Sequence, residues 1–202
     1  MVSYCGEMKP LLRAAIKDED RISGALLLNS SSLLVAEPSL YDFEYEEYRD
    51  SIKTACMLAD WADEKSEEYL LEEYKTRPGE LRSKLDRADW LLFSALELSK
   101  VLSLQNILKD IVSARVRLQY GIKEELLPLV RFEGIGRVRA RVLYSNRIRT
   151  VKDVKDADLS SLSYLVGKQI AAKLKKQVGE EVAEIAPNKR KGQIRLWDFG
   201  DE

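Results

Sequence analysis

Histidine is absent from this chain of 202 residues, and cysteine occurs only at Cys5 and Cys56. Without histidine, the usual zinc sites, histidine general bases and Ser-His or Cys-His dyads are excluded. Two cysteines so far apart fit a reduced, cytoplasmic setting. Long apolar runs are missing as well. Ile22 to Val35 is the one strongly apolar stretch, but Asn29 to Ser32 interrupts it, and it falls short of the roughly 20 residues a bilayer span needs. With no signal-like segment before it, no membrane partner is expected. Proline is scarce, at five residues, and 45% of the chain is hydrophobic. That composition describes a folded, soluble protein of one large or two small domains, with disorder expected only at the ends. A net excess of charge is lacking too, the formal value being -1.

Charge is nevertheless segregated. Asp42 to Glu73 holds twelve acids (42, 44, 46, 47, 50, 60, 63, 64, 67, 68, 72, 73) against Arg49, Lys53 and Lys65. Such a block reads as the solvated face of a helix or as a docking surface for another domain. Arg131 to Arg149 reverses the sign, with six arginines (131, 137, 139, 141, 147, 149) against Glu133 alone. Within it, Phe132-Glu133-Gly134-Ile135-Gly136-Arg137-Val138-Arg139-Ala140-Arg141 reads as a glycine-hinged hairpin opening into a basic helix. Gly134 and Gly136 are expected to take backbone angles that Cβ-bearing residues avoid and to let another backbone approach closely. The helix behind them offers free N–H groups and a positive dipole end to a phosphate. A local basic patch in a neutral chain is a nucleic-acid footprint, and its bland counterpart is a solvated helix after a glycine turn. A second, weaker copy follows at Tyr164-Leu165-Val166-Gly167-Lys168-Gln169-Ile170, where Leu165 and Val166 replace the first glycine. Contacts made by such paired hairpins go to phosphate and carry little sequence information.

Apolar residues at Tyr45, Tyr48, Ile52, Ala55, Cys56 and Ala59 recur at steps of three and four, so 41–61 is predicted to be helical. Further helices are expected over 67–74, from Pro78 to Val101 with Thr76 as a cap, over 104–120, from Glu124 into the hairpin, and over 151–154 and 159–165. Strand patterning is scarce, with Leu26 to Val35 its one candidate. The expected fold is therefore all-α, a helical bundle followed by a small helix-hairpin-helix domain. Projected at about 100° per residue, Leu81, Leu85, Ala88, Leu92 and Ala95 share one stripe, which Phe93 and Leu96 widen, and Trp90 lies opposite. An outward tryptophan among Ser83, Arg87 and Ser94 is either a stacking platform for a nucleobase or the filling of a second helix contact. The tail Gly192-Gln193-Ile194-Arg195-Leu196-Trp197-Asp198-Phe199 either folds onto its own protein or resembles the peptide that docks repair proteins on the sliding clamp, with Gln193, Leu196 and Phe199 as anchors.

Three segments in order, Pro78-Gly79-Glu80-Leu81-Arg82 with Ala88-Asp89-Trp90-Leu91-Leu92, then Tyr120-Gly121-Ile122-Lys123-Glu124-Glu125-Leu126-Leu127-Pro128, then Gly134-Ile135-Gly136-Arg137-Val138-Arg139-Ala140-Arg141, resemble the C-terminal part of archaeal superfamily-2 DNA repair helicases of the Hjm or HelQ-like family. The resemblance runs from about Met8 to Val182. It implies a ratchet domain over 1–125, incomplete at its N-terminus, a helix-hairpin-helix domain over 126–186 and a basic tail over 187–202. It places Trp90 where the family's tryptophan stacks on a translocating single strand. Ser83 stands where the family has an arginine, which leaves Arg82, Lys84 and Arg87 to steer phosphate. Gly134, Gly136, Arg137, Arg139, Arg141 and Lys168 are expected to hold the backbone. No G-x-x-x-x-G-K-[ST] phosphate loop is present, so the chain has no catalytic residues and no cofactor of its own. ATP and magnesium are implied only for motor domains, supplied by another chain or region. The implied partners are single-stranded or forked DNA, those motor domains and the sliding clamp. Three origins fit such a chain: a recombinant fragment, the downstream part of a split gene or a truncated paralogue. The rival expectation is a repair-complex interaction protein whose DNA binding is incidental. A glycosylase is disfavoured because no Gly-Pro-Asp loop with its aspartate follows the hairpin.

Overall fold

The computed structural model describes residues 2–179. Among these, every regular element is helical: α1 Glu19–Asn29, α2 Tyr45–Ala62, α3 Glu67–Tyr74, α4 Pro78–Val101, α5 Gln105–Tyr120, α6 Leu127–Val130, α7 Arg137–Ser145, α8 Val151–Asp156, α9 Leu159–Val166 and α10 Lys168–Gln177, with short 3-10 turns between some of them. The fold is all-α. It divides into two compact units, one within Met1–Leu127 and one beginning at Pro128.

Pro78 at the first position of α4 starts the long helix of the first unit, because its missing N–H and fixed φ cost nothing there. The cap is Arg77, without a side-chain bond, and not Thr76, whose side chain is buried. Leu81, Ala88, Leu92 and Leu96 turn inward from α4; Leu81 and Ala88 join Met8, Leu12, Met57, Leu58, Leu70 and Tyr74 in one core. Each large side chain so buried contributes roughly 1.5–3 kcal/mol. Phe93 does not join them, and 43% of it is exposed. α4 packs along α5, which ends on Gly121 at φ 63°. A Cβ there would meet Trp61, whose ring N–H donates to the Leu118 carbonyl at 2.7 Å. The stretch that offered a strand pattern, Leu26 to Val35, is instead the end of α1, a 3-10 turn over Ser30–Ser32 and three irregular residues. Arg21 of α1 pairs with Asp60 of α2 at 3.3 Å, and the Tyr74 hydroxyl donates to that carboxylate at 2.7 Å.

The N-terminal segment 9–15 has no regular structure, and side chains of α2 and α4 satisfy its backbone. The Leu12 N–H donates to the Thr54 hydroxyl at 3.0 Å and the Ala14 N–H to Asp50 at 2.6 Å. Lys53 donates to the Arg13 carbonyl at 2.9 Å and to buried Asp18 at 2.7 Å. Burial pushes the Asp18 carboxyl up, but its bonds to Lys53 and the Ala15 N–H outweigh that and hold it below its ordinary value.

In the second unit, α7 and α10 both pack on α9, and α8 packs on α10. Phe132, Ile135, Ala140, Leu143, Val154, Leu162, Val166, Ala171 and Leu174 are buried there. Thr150 and Asp153 form a capping box at α8, and Asp158 caps α9.

Candidate nucleic-acid interface

On α4 the residues opposite the core stripe form a shallow groove lined by Gly79, Arg82, Ser83, Asp86, Arg87 and Trp90. Trp90 is 55% exposed, an indole left open to water on a helix whose opposite face is packed. Arg82 stands in solvent, with an ion pair of 3.4 Å to Asp86 one turn on. A pair so exposed is worth little and yields readily to a competing anion.

The two other cations in the first half of α4, Lys84 and Arg87, have different duties. Lys84 is 2% exposed, and its ammonium donates to the Pro10 carbonyl at 2.6 Å, with Glu80 at 3.6 Å. Burial pushes its pKa down, against the pull of Glu80. The expectation that Lys84 steers phosphate is therefore corrected: it pins the N-terminal segment to α4. Its helical phase was the signal, since Lys84 stands three residues after Leu81 and four before Ala88, on the flank of the buried stripe. The half-buried Arg87 donates to the Lys9 carbonyl and secures the same segment, while still lining the groove. Of Arg82, Lys84 and Arg87, Arg82 is the one turned fully to solvent.

In the second unit the two glycines of the hairpin differ. Gly134 has φ 82°, and a Cβ there would lie 2.9 Å from the Ile170 side chain of α10. It meets the demand for a left-handed backbone, but what approaches it closely is a side chain and not the second backbone expected. Gly136 meets neither, since its φ of -103° and ψ of -172° are ordinary extended backbone and a Cβ would touch nothing. What Gly136 supplies is open space at the N-terminus of α7, whose first turn carries no acid and no side-chain cap. Arg139 turns back and donates to the Gly134 carbonyl at 2.9 Å, bracing the hairpin from its exposed side. The Arg141 guanidinium lies 5.3 Å and that of Arg149 4.7 Å from the centre of the Tyr144 ring. Arg137 opens α7 and is half-exposed.

The second copy places Gly167, at φ 90° and ψ 147°, between α9 and α10, with exposed Lys168 starting α10. Ile135-Gly136-Arg137 and Val166-Gly167-Lys168 thus share one order, a buried apolar residue, a glycine and a cation. Only the second of these glycines needs a positive φ. The clamp-like residues Gln193, Leu196 and Phe199 lie outside the described residues.

The first unit thus carries an exposed aromatic groove on α4, and the unit that follows it in sequence carries the glycine turns and the arginines of α7. The family described as archaeal helicase, domain 4, matches residues 1–121, and the chain belongs to that family, as sequence from the C-terminal region of an archaeal superfamily-2 helicase. Curated relatives carry the name ATP-dependent DNA helicase Hel308. One from Caldivirga maquilingensis is 36% identical over 148 residues, covering 71% of this chain and 20% of that protein. One from Methanococcus vannielii is 33% identical over 186 residues, covering 90% and 23%. One from Methanocaldococcus jannaschii is 36% identical over 179 residues, covering 89% and 14%. The chain spans less than a quarter of the length of these relatives.

Proposed function

We propose that this chain is the non-catalytic, DNA-gripping part of an ATP-dependent DNA repair and recombination helicase. Trp90 stacks on a base of a single strand, Arg82 meets the neighbouring phosphate with help from Arg87, and the Gly134 to Arg141 helix-hairpin-helix holds the backbone further along. Lys168 extends that hold through the second hairpin. The observation that carries the reading is the exposed indole in a groove beside a solvent-facing arginine, because a water-exposed tryptophan that covers no core gains most by stacking. The uncapped start of α7 behind Gly136 supports the backbone contact. ATP and magnesium serve motor domains supplied by another chain or region, and the DNA contacts turn their strokes into directed movement.

The test is fluorescence anisotropy of labelled single-stranded and forked DNA across a salt series. Binding whose logarithm falls linearly with the logarithm of salt, by about 0.7 per phosphate neutralised on a single strand, is expected. No binding at low salt overturns the proposal.

A second reading has its own support. Leu40, Tyr41 and Phe43 are exposed next in sequence to the acids at 42, 44, 46 and 47, and Leu27, Leu28 and Leu34 are exposed as well, which suits a repair-complex protein that docks a partner. In that reading the tail docks the sliding clamp through Gln193, Leu196 and Phe199. Capture of the clamp, lost on Phe199→Ala, together with negligible DNA affinity, selects it.

A further inference from the structure

We infer that Phe93, positioned by Arg115, forms a second base-stacking step beside Trp90, so that α4 holds two neighbouring bases of a single strand. The inference rests on the reading of Trp90 as a stacking residue and extends it.

Phe93 follows Trp90 by three residues, and positions so spaced are neighbours on a helix surface, about 4.5 Å apart along the axis. Its helical phase lies between Trp90 and the core stripe, where a phenylalanine ordinarily turns inward. Here 43% of the residue stays in water. The ring is not loose, because the Arg115 guanidinium of α5 lies over it, 5.0 Å from its centre. Arg115 is fixed in turn by two bonds to Asp89, at 2.5 and 2.9 Å. That carboxylate, chiefly by hydrogen bonding, raises the pKa of the guanidinium.

The arrangement is a planar cation on an aromatic ring, locked by a carboxylate on the ring's own helix. Cation–π contacts of this kind belong to the vocabulary of single-strand binding, in which arginine and aromatic rings offer successive flat surfaces to bases. Because Asp89 neutralises Arg115, the pair adds little net attraction for phosphate. Its contribution is a ring held ready at low entropic cost. Stacking accepts any base, so the step extends the grip along the strand without reading sequence.

The experiment compares the full chain with Phe93→Leu, Phe93→Tyr and Trp90→Ala, using oligothymidine carrying two adjacent 2-aminopurines, whose fluorescence falls on stacking. Leucine keeps apolar volume in place of the ring, and tyrosine keeps the ring. Phe93→Leu is expected to weaken binding about 5- to 150-fold, nearly independently of salt, and to restore part of the 2-aminopurine signal. Phe93→Tyr is expected to match the parent in both readouts, which a purely packing role does not require. Parent-like affinity and quenching in Phe93→Leu, alongside a loss in Trp90→Ala, overturns the second step and leaves the first standing. If Trp90→Ala also matches the parent, the stacking reading of α4 fails as a whole.

Discussion

Replacing Gly134 and Gly136 by alanine, one at a time, separates folding from anion contact within a single hairpin. At Gly134 the alanine enters a left-handed conformation, φ 82°, which costs about 1–2 kcal/mol for an L-residue. Its Cβ also arrives 2.9 Å from the Ile170 side chain, which must shift. The lower entropy of the unfolded alanine chain returns about 0.4–1 kcal/mol. The net expectation is a loss of about 1–2 kcal/mol, read as a fall of roughly 2–8 °C in melting temperature. At Gly136 the backbone is extended and a Cβ has room, so stability is expected to stay within about 0.5 kcal/mol of the parent. That same Cβ stands at the mouth of α7, where the proposal seats a phosphate. Gly136→Ala is therefore expected to lose DNA affinity with its melting curve unchanged. Differential scanning calorimetry paired with DNA anisotropy reads both effects. Equal destabilisation by the two substitutions refutes the distinction drawn between the glycines.

Other consequences concern cations and carboxylates. Lys84→Met is expected to destabilise the first unit by about 1–3 kcal/mol, because the charge-assisted bond from buried Lys84 to the Pro10 carbonyl is lost, while DNA affinity of the folded fraction holds; Arg82→Ala is expected to do the reverse, and calorimetry with anisotropy distinguishes them. The carboxyl of Asp153, held down by the Arg149 and Thr150 N–H groups, and that of Asp158, held down by the Ser161 hydroxyl and the Ser160 and Ser161 N–H groups, both titrate below their ordinary value of 3.8. Their folded pKa values are depressed, so the stability they contribute is present above pH 3.8 and is lost as pH falls through the folded values. The melting temperature of the second unit is expected to drop in that acid window, and Asp153→Asn with Asp158→Asn to flatten the drop; a parent profile already flat contradicts it.

Much of this architecture was legible because helices announce themselves by period and punctuation. Glu67–Tyr74 and Pro78–Val101 are helices where the apolar spacing and the Pro-Gly break put them. Leu26 to Val35 misled because a run of leucine, serine and valine reads alike for strand and exposed helix, and only the packing of α1 on α2 decides. Lys84 misled for a different reason. A lysine beside arginine invites an electrostatic reading, whereas its fate depended on an irregular segment, 9–15, whose carbonyls needed donors and whose path no periodicity reports. Helical projection sets Phe93 at the edge of the apolar face, yet 43% of it stays exposed with the Arg115 guanidinium over its ring, a contact from α5 that the phase of α4 does not report. The two hairpin glycines look alike in sequence, but backbone angles and the nearness of Ile170 give them unlike roles.

The most direct test of the central claim is the single-strand affinity of Trp90→Ala against the parent chain at low and high salt. Stacking predicts a loss of about 5- to 150-fold that persists as salt rises, while losses from Arg82→Ala and Arg139→Ala shrink. Parent-like affinity of Trp90→Ala at every salt concentration contradicts the account.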